Sequence, residues 1–134
     1  MEDLISMTPN PERAKSILNQ VEARIEVMQL IPRKHPTLIV EAQYDIIKEL
    51  MTALLSIDGF KALSHTTLID YLRNKYKREL IEQEIRAIDE FRIIRNKIAY
   101  EGFTIKADFL QRKEKIAESI ISKLKKLVNK KLGI

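Results

Sequence analysis

The stretch FRIIRNKIAYEG, residues 91–102, decides the fold. Together with Ile88 just upstream, its Phe91, Ile94 and Ile98 recur at steps of three and four. That spacing lays one apolar stripe along an α-helix. Arg92, Asn96 and Tyr100 lie four apart and share a second face, which Arg95 flanks. Gly102 then breaks the helix. The pattern is therefore a long amphipathic helix whose polar side carries a guanidinium, a carboxamide and a phenol near its C-terminal end. Such a set can receive a phosphate group.

Working outward, the same period recurs on either side. Asn10-Pro11 is an N-cap followed by proline at the first helical position. Ala14, Ile17, Leu18, Val21, Ile25 and Met28 form the stripe behind it, and Ile31-Pro32 stops it. Thr37 is placed to cap the next helix, which is apolar almost all round from Ile46 to Leu55 and so belongs at the centre of a bundle. Asp58-Gly59 ends it. Residues 60–64 read as a connector, and no alternation of useful strand length occurs. The spacing predicts helices over about 11–31, 37–57, 66–74, 78–99 and 108–131. Four long helices and one short one, with short connections, predict an all-α, antiparallel up-and-down bundle. At 134 residues the whole chain reads as a single domain.

Composition narrows the chemistry. There is no cysteine, which removes disulfides, thiolate metal sites and a thiol nucleophile. The two histidines, His35 and His65, stand thirty residues apart, so neither a metal site nor a cofactor is expected. No apolar run is long enough to cross a bilayer, and residues 1–11 are acidic and polar rather than signal-like. The expected setting is the cytoplasm, without membrane attachment. The net charge is +5, and it is concentrated: residues 104–134 hold nine bases and three acids, leaving fifteen bases against sixteen acids elsewhere. Abundant isoleucine and lysine without cysteine hints at a thermophilic source.

The helix order, FRIIRNKIAYEG, and the segment AQYDIIKELMTALLSIDGFKALSHTTLIDYL at 42–72 together resemble the HEPN domains of archaea and bacteria, over roughly residues 10–130. In that family an arginine, commonly followed by a polar residue, precedes a histidine by four to six residues. Many members are metal-independent endoribonucleases that work as homodimers, with the two motifs meeting in a shared cleft. By position, Arg95 matches the family arginine, Asn96 the polar residue, and Tyr100 stands in the histidine slot. The resemblance implies catalytic roles for Arg95, Asn96 and Tyr100 and contacts from Arg92 and Lys97 to nucleic acid. The departure at Tyr100 has a physical cost. Imidazole exchanges a proton near neutral pH, whereas a phenol keeps its own and is a poor base. The chain is therefore expected to be a weakened or inactive endoribonuclease or an RNA binder. The alternative is a non-catalytic module that pairs with a nucleotidyltransferase-type protein, as HEPN proteins do in toxin–antitoxin pairs.

Plainer roles exist for the same residues. Arg95 would pair with Asp89 or Glu90, and Tyr100 would pack its ring at the helix end. The basic face of the last helix, Arg112, Lys115, Lys123, Lys126 and Lys130, would be a solvated surface as readily as a nucleic-acid surface. His65 would make a local hydrogen bond at a helix start.

Overall fold

The structure is a computed structural model that describes residues 3–134; Met1 and Glu2, part of the N-terminal stretch read above, lie outside the described residues. The chain is mostly helical. Its elements are β1 (Leu4–Ser6), α1 (Pro11–Met28), α2 (Pro36–Asp58), β2 (Phe60–Ala62), α3 (His65–Lys75), α4 (Glu82–Glu101) and α5 (Ala107–Leu132).

The caps explain the boundaries. The Asn10 side chain accepts from the Arg13 N–H at 3.0 Å and starts α1. That helix stops at Met28, a turn short of the expected Ile31. Thr37 does not cap α2, which begins a residue earlier at Pro36. Its hydroxyl instead accepts from the Ile105 N–H at 2.8 Å and anchors the loop before α5. The start of α4 falls four residues later than the expected 78, because Glu84 Oε1 accepts from the Ile81 N–H at 3.1 Å and caps the first turn there.

Residues 60–62, expected as plain connector, form a strand. β1 and β2 pair antiparallel with Ile5 opposite Lys61, and the Met7 N–H donates to the Gly59 carbonyl at 2.8 Å. The alternation signal failed because three-residue strands are too short to show one.

α2 is the central helix. It packs against α1, α4 and α5, and Tyr44, Ile46, Ile47, Leu50, Met51 and Leu54 are wholly buried along it. The core has two parts. The larger gathers α1, the C-terminal half of α2, α3, the first half of α4 and the second half of α5. The smaller joins Ile39, Val40 and Tyr44 of α2 to Phe91 of α4 and to Ile105, Leu110 and Ala117. Ile94 and Ile98 pack onto this second cluster. The motif helix is thereby fixed against the N-terminal half of α2 through the stripe read from the sequence. Among the described residues no helix is long and apolar enough to cross a membrane.

Gly59 carries φ +85°, and a Cβ there would meet the Met7 carbonyl oxygen at 2.9 Å and the Pro9 ring at 3.1 Å. Gly102 also has positive φ (+67°), but a Cβ would meet nothing within 4 Å. Both positions resist L side chains by about 1–2 kcal/mol. Only Gly59 adds a backbone clash. Gly59→Ala is expected to lower the unfolding free energy by at least ~1 kcal/mol more than Gly102→Ala in chemical denaturation. Equal losses would show that the β1 approach to Gly59 is loose.

Candidate functional site

α4 presents the motif residues in a gradient from interior to solvent. The Arg92 side chain is 20% exposed, and its Nε donates to Asp89 Oδ1 at 2.8 Å, one turn back on the same helix. Arg95 and Asn96 are half-buried. Lys97 is exposed, with its ammonium 5.8 Å from the centre of the Phe103 ring. Tyr100 is 79% exposed, so its ring does not pack at the helix end.

Arg95 is not paired with Asp89 or Glu90. Asp89 holds Arg92, and Glu90 holds Lys113 at 2.8 Å. The Arg95 guanidinium faces Asp45 of α2, with Nε 3.5 Å from Oδ1. That Nε is buried and has no hydrogen-bond partner. A buried unpaired donor is costly, so its retention calls for an explanation. The two Nη groups are not buried orphans, and they make no hydrogen bond to the protein among the described residues. The fork that recognises a phosphate or carboxylate is therefore open while Asp45 steadies its base.

The surroundings bring in residues that the local reading set aside. The Tyr44 hydroxyl and His65 Nδ1 lie 3.0 Å apart, joining α2 to the first residue of α3. His65 thus makes a long-range bond, not a local one. Burial pushes the Tyr44 phenol up to about 12, against the opposing pull of Arg92 and Arg95. Burial, then the positive charges of Lys48, Arg95 and Arg92, push the His65 imidazole below its usual range. His65 is accordingly neutral at physiological pH. One signal for this contact was present in the sequence. A tyrosine inside a helix apolar on all sides must bury its hydroxyl, and a buried hydroxyl needs a partner.

The C-terminal basic segment is largely committed within the fold. Of its nine bases, five make ion pairs: Arg112 with Asp108, Lys113 with Glu90, Lys123 with Glu84, Lys125 with Glu22 and Lys131 with Asp58. Lys123 and Ser119 both reach Glu84, which is 4% exposed, so these contacts pin α5 to α4. The other four, Lys106, Lys115, Lys126 and Lys130, have no carboxylate partner among the described residues.

No group of three or more His, Asp or Glu able to hold a metal ion occurs among the described residues. Comparison with protein-family models, with curated proteins and with solved structures finds no match for this chain.

Proposed function

We propose that the chain is an RNA-directed protein of HEPN type, an up-and-down helical bundle acting as a cytoplasmic homodimer and engaging the RNA backbone through Arg95. The observation that carries this reading is the guanidinium of Arg95, whose Nη groups make no hydrogen bond to the protein while Asp45 faces its Nε. A half-buried cation binds an anion more strongly than an exposed one, because less water screens it. In the reaction that the resemblance implies, the 2′-oxygen of RNA bonds to the adjacent phosphorus as the bond to the 5′-oxygen breaks. Arg95 stabilises the charge that builds on the phosphoryl oxygens. Asn96 orients the phosphate, Tyr100 hydrogen-bonds or protonates the leaving oxygen, and Arg92 and Lys97 hold flanking phosphates. The step that lacks a good agent is removal of the 2′-hydroxyl proton, so binding with slow or absent cleavage is the expected behaviour.

A labelled single-stranded RNA incubated with the protein in EDTA tests this. RNA should be retained, and Arg95→Ala should weaken retention by about tenfold or more, since a charge-assisted hydrogen bond contributes about 1.5–3 kcal/mol. Absence of both binding and cleavage by the wild-type protein would end the RNA reading.

A second reading has its own observation. Val27 and Leu38 are at least half exposed and line a groove of about 470 Å³ between α1 and α2. An apolar groove of this kind suits a protein partner, either a second copy or a nucleotidyltransferase-type protein. Under that reading the RNA assay is silent, and groove substitutions change the association state in light scattering.

A further inference from the structure

A cleft of about 370 Å³ lies between the C-terminal half of α2, β2 and the start of α3. Its charged lining is Arg13 of α1, Lys48 and Glu49 of α2, and Lys61 of β2: three cations against one carboxylate. Glu49 is already held by Lys48 at 3.5 Å. Arg13 and Lys61 have no carboxylate partner among the described residues. Arg13 is placed by its Nη1, which reaches Ser56 Oγ at 3.4 Å. Apolar Leu55, Phe60 and Leu68 complete the walls and lower the local dielectric, which strengthens any charge interaction inside.

His65 lines the same cleft, and its hydrogen bond determines what it can offer. Tyr44 is 0% exposed, and Nδ1 of His65 is the partner of its hydroxyl. If Nδ1 carried the ring proton and donated to Tyr44, the phenolic proton would be orphaned in the core. The arrangement that satisfies both groups has the hydroxyl donating to Nδ1 and the ring proton on Nε2. Nε2 is not a buried orphan, so it keeps contact with solvent. His65 therefore offers an uncharged N–H donor. It is a group for holding an oxyanion, not for taking a proton at that nitrogen.

We infer that this cleft is a second phosphate subsite, seating a backbone phosphate of the same RNA strand that Arg95 engages. The inference rests on the RNA reading above. Arg13 and Lys61 supply charge, and His65 Nε2 supplies a directed hydrogen bond. Lys48 lines the cleft, and its charge acts on His65 together with those of Arg92 and Arg95, against the opposing Asp45.

The test is fluorescence anisotropy of a short labelled single-stranded RNA across a salt series. The proteins are the wild type, Arg13→Gln/Lys61→Gln, Arg95→Ala, and a control Lys77→Gln/Arg78→Gln in the connector between α3 and α4. All four of the glutamine-substituted residues are exposed, so folding is not at stake. The cleft variant should bind about tenfold more weakly and lower the salt slope by about 0.7, since one phosphate fewer is neutralised, while the control changes little. The His65 ring resonances should shift when RNA is added to the wild type and stay still in the cleft variant. If the wild type binds RNA but the cleft variant keeps its affinity and slope, the subsite is refuted and Arg95 stands. If the control weakens as much as the cleft variant, the cleft is only part of a general positive field and the inference fails. If the wild type binds no RNA, the broader reading fails and takes the subsite with it.

Discussion

Asp58→Asn is expected to lower the unfolding free energy by about 2–3 kcal/mol, as the loss of a largely buried, multiply bonded carboxylate. Asp58 ends α2 with its side chain only 9% exposed. It accepts from Tyr71 Oη at 2.7 Å, from Tyr76 Oη and from Lys131 Nζ at 2.8 Å. The Lys131 ammonium also lies 5.3 Å from the centre of the Tyr76 ring. One carboxylate thus ties the end of α2 to α3, to the residue that ends it, and to the last turn of α5. An asparagine keeps one acceptor oxygen and turns an amide donor towards groups that are themselves donors. The same network sets the acid limb of stability. Burial alone would raise the Asp58 carboxyl, but hydrogen bonds from Lys131, Tyr76 and Tyr71 outweigh it and hold the group below its usual range. The folded protein therefore binds this proton less readily than the unfolded chain. The contribution is complete above the carboxylate range and disappears as pH falls through it. His65 acts earlier with the same sign. It is kept neutral in the fold, so stability begins to fall once pH drops below the ordinary imidazole value of about 6.5. Denaturant titrations across this span should show two steps in the wild type, with Asp58→Asn removing the lower one. An unchanged lower step would exclude Asp58 as its source.

The second large effect concerns Tyr100→His, expected to raise RNA cleavage in EDTA by about 10²–10⁴-fold over the wild type. Tyr100 sits on the last turn of α4 with its ring in solvent, so the exchange should move stability by no more than about 0.5 kcal/mol. What changes is the proton chemistry. Imidazole takes and returns a proton between about pH 5 and 8, which a phenol does not. The double variant Tyr100→His/Arg95→Ala should fall back to the wild-type baseline, because the new imidazole exchanges protons beside a phosphate that, on the proposed reading, Arg95 holds. If Tyr100→His binds RNA as the wild type does and cleaves none, the site is a binding site and not a retired catalytic one.

The helical skeleton was legible because its punctuation is local. Asn10-Pro11, Asp58-Gly59 and Gly102 sit where a chain reader expects starts and stops, and all three mark real boundaries. The all-round apolar character of α2 announced its central place. Boundaries set at a distance were not legible. Thr37 looks like a cap but serves Ile105, and the start of α4 depends on where the Glu84 side chain reaches. The candidate site divides in the same way. Arg92, Arg95, Asn96 and Tyr100 share a helix and can be read together. Asp45, Tyr44 and His65 reach them only through the packing of α2, α3 and α4, which no spacing along the chain encodes.

The small sheet ties two distant regions together. Leu63 N–H donates to the Asp3 carbonyl and Met7 N–H to that of Gly59, both at 2.8 Å, so the opening residues of the chain buttress the strand that carries Lys61. A load on the amino end, whether a fused tag or a bound neighbour, would be transmitted as strain to that lysine. One of the two shortest elements of the molecule is in this sense a brace, set far along the chain from the strand it supports.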